Sequence, residues 1–268
     1  MKFFFRFSTL FGLIILSSCS LLNKQGPWGK NALYPIRAER ILMAVKKNAS
    51  SAHVWVPALG AGIFGLFNFD HNLSNWISNE ASIFKNSEAA DNWSDHFNNI
   101  LLLEMYSVVL LTPSQDENKS FGGFVLNKVR GGLTVSFAAA SSKYTTKQVK
   151  KAIHRERPNK LDYKSMPSGH ASVAGSRRVL VTNGLEAIEM DSHLRLGINS
   201  LNATMAIGTM WARVEGKRHY PSDVLVGYAL GSFVSGVVYD SLINYDPGQA
   251  FSFIPMGDKV FASYTFQF

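Results

Sequence analysis

The chain has 268 residues, 46% of them hydrophobic and 17% charged, and 27 Lys and Arg against 19 Asp and Glu give a formal charge of +8. Its length suits one domain with a substantial buried core. The lone cysteine, Cys19, excludes an intramolecular disulfide, and there is neither a fixed-period repeat nor a low-complexity segment. In chain order, Lys2 and Arg6 stand beside an apolar stretch from Phe7 to Leu16, and Leu16-Ser17-Ser18-Cys19 follows. Positive charge, apolar core and small residues in that order predict a secretory signal peptide over residues 1–18.

With a cysteine at its end, this leader resembles a bacterial lipoprotein signal. That resemblance implies cleavage before Cys19, a lipid on Cys19 and tethering in the cell envelope, with Ser20 after the Cys favouring the outer membrane. Cleavage would remove Lys2 and Arg6 and lower the charge to +6. Residues 19–34, with Gly26-Pro27 and Gly29, read as a linker, and 35–248 as the helical domain. Helices are expected near 36–49, 52–68, 93–112, 121–156, 170–188, 194–214 and 221–243, with a weaker signal at 78–91. A bilayer span wants ~20 apolar residues. Val54 to Phe67 contains Pro57, Ile100 to Leu111 contains Glu104, and Val224 to Tyr239 lies between Asp223 and Asp240. These fit buried helices of a bundle on a lipid tether. Residues 249–268 alternate apolar and polar around Met256-Gly257-Asp258, which predicts a β-hairpin packed on that bundle.

Three polar blocks carry the chemistry. Lys150 precedes Arg157-Pro158, Pro167-Ser168-Gly169-His170 follows, and Arg213, His219 and Asp223 close the set. Fixed cations and backbone N–H groups stabilise the oxygens of a phosphoryl group in transfer, and Lys150, Arg157 and Arg213 are the candidate cations. Imidazole titrates near neutrality, so a histidine pair can serve as nucleophile and proton donor. Pro221 and Asp223 read as the first turn of a helix, and Ser168 as the N-cap of another, so both histidines are expected near helix N-termini.

These blocks resemble the type 2 phosphatidic acid phosphatase superfamily, which includes class A acid phosphatases and vanadium haloperoxidases. The resemblance rests on Lys, six residues, Arg-Pro; Pro-Ser-Gly-His; and Arg, five residues, His, three residues, Asp. Ala212 stands where the family usually has Ser. At ~5% per residue type, ten specified positions in ordered blocks would match by chance on the order of once in a million such chains. The fold implied is mostly α, a compact helical bundle of the acid phosphatase/vanadium haloperoxidase type. The roles implied are nucleophile for His219, with a phosphohistidine intermediate; orientation of the His219 ring by a hydrogen bond that Asp223 accepts from it; and acid, then base, for His170. Lys150, Arg157, Ser168, Gly169 and Arg213 would hold the phosphate.

The expected activity is hydrolysis of phosphomonoesters or pyrophosphate ends, on a lipid phosphate that the anchor would place nearby. Soluble organic phosphates, a vanadium-dependent haloperoxidase and a non-catalytic envelope lipoprotein are the alternatives. No cofactor, metal ligand set or nucleic-acid partner is expected. Lys147, Lys151 and Arg155 read as a solvated helix face, and His53, His71, His96 and His193 as structural. His154, one turn from Lys150, either lines the pocket or stays outside it.

Overall fold

A computed structural model describes residues 27–33, 38–67, 69–115 and 119–243, and the backbone of 249–256 and 259–266. Eight helices follow one another among these residues: α1 Ala38–Ala49, α2 Ala52–Leu66, α3 Phe69–Asn79, α4 Ser87–Leu111, α5 Phe121–Ile153, α6 Gly169–Glu186, α7 Ser192–Glu215 and α8 Pro221–Ile243. Their starts are written in local chemistry. Ser51, Asn86, Ser120, Ser168 and Asp191 each accept a hydrogen bond from a backbone N–H of the turn that follows, satisfying donors that a helix start leaves unpaired. At α8, Pro221 occupies the first turn and Asp223 reaches back to the Tyr220 N–H at 2.8 Å.

Most elements lie where the sequence places them, but α4 starts six residues early, at Ser87, and α3 was not foreseen. Residues 80–86, inside the weak signal at 78–91, form a loop instead. Glu215 fixes that loop, accepting from Ile83 N at 2.9 Å, Phe84 N at 2.6 Å and Ser82 Oγ at 2.7 Å.

Helix α8 runs through the middle of the bundle, against α1, α2, α5 and α6. It is long and apolar enough to cross a membrane, yet 56% of its apolar window is buried in the protein. Its contact with α6 is a backbone-to-backbone seam. A Cβ added to Gly227 would sit 2.4 Å from the Ser168 carbonyl oxygen, one on Gly231 2.0 Å from that of Ser172, and one on Gly175 2.4 Å from that of Tyr228. Hydroxyls fill what space remains: Ser176 meets Ser235 at 2.5 Å and Thr146 of α5 meets Ser172 at 2.6 Å. Close approach needs residues without bulk, and this seam fixes how the N-termini of α6 and α8 lie side by side.

At the other end, the expected linker 19–34 is partly docked. Trp28 is fully buried, donates from its indole to the Tyr239 hydroxyl at 3.1 Å, and lies so close over Gly131 that a Cβ there would be 2.0 Å from its ring. The Trp28 N–H also reaches the Pro113 carbonyl at 2.8 Å.

The fold-class expectation is corrected on one point. The body is helical throughout, so the C-terminal β-hairpin expected to pack on it is not a component of this fold. Gln249–Met256 and Lys259–Phe266 pair antiparallel with each other alone and join no larger sheet. Such a pair is marginal by itself, and both hydrophobic clusters are filled by helical side chains and the turn at 28–33 and 187–188. The signal segment 1–18, Cys19 and the start of the linker lie outside the described residues.

Candidate active site

The site forms where the C-terminal ends of α5 and α7 meet the N-terminal ends of α6 and α8. His219 closes the α7–α8 turn, its backbone N–H bound to the Arg213 carbonyl at 3.2 Å. Its ring is 2% exposed, and its Nδ1 bonds the Ser165 carbonyl at 2.6 Å. A carbonyl can only accept, so Nδ1 carries the proton and Nε2 keeps its lone pair. Among the described residues, Nε2 has no hydrogen-bond partner. Burial holds the His219 pKa well below the ordinary imidazole range, and the charges of Lys150, Arg213 and Arg157 hold it lower still. The ring is therefore neutral at neutral pH and surrounded by cations.

Those three cations are the ones singled out in the sequence. Arg157 is clamped by Asp162, Nε to Oδ1 at 2.7 Å, and donates to the Arg218 carbonyl at 3.2 Å. Arg213 is 7% exposed and pairs with Asp91 at 2.7 Å; Asp91 also takes Arg218 at 2.6 Å. Lys150 donates to the Lys164 carbonyl at 2.6 Å. Burial, then the nearby Arg157 charge, brings its pKa down to about 8.

His170, in the first turn of α6, bonds Asp95 at 2.8 Å through Nε2. Burial and then Arg213 lower its pKa, and Asp95 opposes them. One guanidinium, that of Arg213, thus acts on both histidines. Ser168 is fully buried as the N-cap: its hydroxyl accepts from Ala171 N and its own N–H goes to the Asp223 carbonyl at 3.0 Å. Beside Gly169 the space is open, and a Cβ there would meet nothing within 4 Å. A helix start with a bare residue and free N–H groups is an anion site.

The structure therefore brings Lys150, Arg157, Gly169, His170, Arg213 and His219 to one place, with two departures from the sequence reading. Asp223 does not hydrogen-bond His219: its carboxylate accepts from Arg155 at 2.7 Å, Ser165 Oγ at 2.5 Å and Tyr220 N at 2.8 Å. Its pKa is raised by burial, against the pull of Ser165 and Arg155. Arg155, read as a solvated residue, is partly buried and turned inward onto the carboxylates of Asp223 and Asp70. Sequence reasoning also missed Asp91 and Asp95, one helical turn apart on α4, which carry no motif. His154 ends α5 in the left-handed region at φ 47° and is exposed. Ala212, at the position where a Ser was expected, is fully buried in α7.

A helical bundle in which neighbouring helix ends present cations and two histidines to one cleft is the architecture of a phosphoryl-handling protein. The family model of the PAP2 superfamily matches residues 131–245, which hold all three polar blocks. Among solved structures the chain is similar to the "first transmembrane PAP2 type phosphatidylglycerolphosphate phosphatase from Bacillus subtilis", with a TM-score of 0.50 and 18% identity over 74% of this chain and 92% of that one. At that identity the likeness concerns the fold. No curated protein matches the chain.

Proposed function

We propose that the protein is a phosphatase that hydrolyses a phosphate ester through a phosphohistidine on His219, with a phosphorylated lipid as substrate. The observation that carries this reading is His219 itself: a buried, neutral imidazole with a protonated Nδ1 and an unengaged Nε2, ringed by Lys150, Arg157 and Arg213. Nε2 would attack phosphorus while the three cations and the α6 N-terminus take the charge of the equatorial oxygens. His170 would protonate the leaving oxygen and then activate water, with Asp95 stabilising its charged form.

The match to the PAP2 superfamily supports the phosphatase activity, and the neighbour's title supports a lipid phosphate. A further support is the apolar surface next to the site. Leu66 is 84% exposed and Phe67 65%, Phe69 is exposed beside them, and the next residue, Asp70, binds the Ser222 N–H at the start of α8. This collar suits acyl chains and a membrane surface, to which a lipid on Cys19 would confine the protein.

Mature protein in EDTA is expected to release phosphate from p-nitrophenyl phosphate, with vanadate inhibiting and His219→Ala eliminating turnover. Retained turnover in His219→Ala would remove the proposed nucleophile. A panel of phosphatidic acid, phosphatidylglycerolphosphate and a soluble sugar phosphate tests the substrate, and preference for the sugar phosphate would overturn the lipid reading.

A further inference from the structure

Arg155 falls in the stretch between Lys150 and Arg157 that the first block leaves unspecified. In the structure it bridges two buried carboxylates. One terminal nitrogen donates to Asp223 Oδ1 and to Ser222 Oγ, each at 2.7 Å, and the other to Asp70 Oδ2 at 2.7 Å. Its guanidinium also lies 4.4 Å from the centre of the Tyr220 ring. Asp70 accepts in addition from Ser222 N at 2.8 Å and from the Ser222 hydroxyl. Asp70 and Asp223 are both almost without solvent contact. Removing the one cation shared by two such carboxylates would leave buried charge uncompensated.

This arrangement matters because Asp223 has no direct bond to His219. Its Oδ1 belongs to Arg155, and its Oδ2 to Ser165 Oγ and Tyr220 N. What Asp223 holds is Ser165, and it is the Ser165 carbonyl that takes the Nδ1 proton of His219. Ser165 is tied to Arg155 a second time, its N–H donating to the Arg155 carbonyl at 3.0 Å. We infer that Arg155 and Asp70 are positioning residues of the active site: they lock Asp223 in place, and through Ser165 set the ring orientation and tautomer of His219. The inference rests on His219 being the nucleophile.

The charged and titratable groups facing Asp223 are Arg155, Lys150 from α5, Asp70 from α3 and Tyr220 beside it. Burial pulls the Arg155 pKa down, but Asp223 and Asp70 outweigh it and the net shift is upward, so Arg155 stays charged. Burial already favours the protonated form of Asp223, and Arg155 opposes this. Without Arg155 the carboxyl would take up its proton at higher pH and cease to accept from both Ser165 and Tyr220. The Ser165 carbonyl would then be free to leave Nδ1. The phosphate cations Lys150, Arg157 and Arg213 would be untouched, so catalysis should suffer while anion binding does not.

The test compares Arg155→Ala, Arg155→Lys, Asp70→Asn and His219→Ala in the full mature chain. It uses steady-state hydrolysis of p-nitrophenyl phosphate from acid to neutral pH, binding of inorganic phosphate by calorimetry, and circular dichroism to verify folding. Arg155→Ala is expected to lose about 10²-fold in kcat, the scale of a displacement of about 1 Å in a reacting group. KM and the Kd of inorganic phosphate should stay within about twofold, since the cations remain. The acidic limb of kcat should move to higher pH. Arg155→Lys should recover only part of the loss, because an ammonium cannot span two carboxylates as a guanidinium does. Asp70→Asn should shift both quantities in the same direction by less. If Arg155→Ala does not fold, Arg155→Lys and Asp70→Asn supply the same measurements. A raised KM and inorganic phosphate Kd with unchanged kcat would make Arg155 a phosphate ligand and overturn the inference. So would a folded Arg155→Ala with unchanged kcat and acidic limb. An active His219→Ala would bring down the nucleophile assignment itself, whereas an inactive one beside a fully active Arg155→Ala removes only the positioning role.

Discussion

The seam between α6 and α8 makes a sharp prediction at Gly231. A Cβ there would lie 2.0 Å from the Ser172 carbonyl oxygen, where ordinary contact begins at 3.4 Å. The obstacle is backbone, which cannot swing aside, so Gly231→Ala must push the two helices apart by about 1.4 Å. Overpacking of this kind costs roughly 1–3 kcal/mol, and the upper part of that range applies because the relief has to come from a whole helix. The gain in helix propensity from Gly to Ala, about 1 kcal/mol, offsets some of it. With a Tm change of roughly 2–4 °C per kcal/mol for a chain of this size, a net loss of about 2 kcal/mol lowers Tm by some 4–8 °C. The same displacement separates the helix ends that hold His170 and His219, and a misplacement on the order of 1 Å costs about 10²-fold in rate. Thermal unfolding and kcat should therefore fall together. Gly62→Ala, at an exposed helical position with nothing within 4 Å of the new Cβ, should leave kcat alone and keep or raise Tm. A Gly231→Ala protein that melts and turns over like the parent would refute the claim that this contact sets the site's geometry.

Two further outcomes follow from individual side chains. Lys150 has a pKa brought down to about 8, so it is charged below that pH and loses its charge above it. The quantity kcat/KM, which reports the free enzyme, is expected to fall as pH rises through about 8, and Lys150→Arg to carry activity to higher pH because its guanidinium stays protonated; an unchanged basic limb would detach Lys150 from phosphate binding. Glu215→Ala removes the acceptor for the Ile83 and Phe84 N–H groups, the Ser82 hydroxyl and the Trp211 indole. These donors lie at or near the surface, Ile83 being 70% exposed, so water replaces part of what is lost; the change should destabilise by about 1–2 kcal/mol and open residues 80–86 to hydrogen exchange first, and a Tm equal to that of the parent would contradict this.

The residues legible in the sequence were those whose spacing is itself the signal. Lys150 and Arg157 are seven residues apart, a spacing that kept its meaning although α5 ends between them at Ile153, Pro167 to His170 is a turn opening a helix, and His219 stands four residues before Asp223 in the first turn of α8. Such short-range patterns leave a mark in one stretch of chain. Arg155 left none, because the carboxylates that draw it inward sit at 70 and 223, and a lone Arg beside other basic residues looks like surface. Asp91 and Asp95 were invisible for the same reason. Helix α3, Phe69–Asn79, does carry Phe69, Leu73, Trp76 and Ile77 at helical spacing, but over a short stretch in which the Asn and Ser residues favour caps and turns. At the tail, apolar–polar alternation led to the expectation of a hairpin packed on the bundle, which the helical body does not bear out, because alternation is a local pattern that carries no information on what a core has room for. Trp28 was hidden by Gly26-Pro27 and Gly29, which read as loose chain, although its indole meets Tyr239 far along the sequence.

Were Cys19 to carry a lipid, the docking of Trp28 would also determine how far the protein could stray from it. From Cys19 to Pro27 the chain reaches no more than about 28 Å even when fully stretched. Tyr239, under the indole, lies 18 residues along α8 from Pro221, which is about 27 Å of helix at 1.5 Å per residue. Such a leash would be fastened to the end of the bundle opposite the candidate site, and its length would be close to the height of that bundle. A tethered molecule standing upright would hold its cleft away from the lipid, whereas one lying on its flank would bring Leu66, Phe67 and the cleft down to the headgroups without straining the leash.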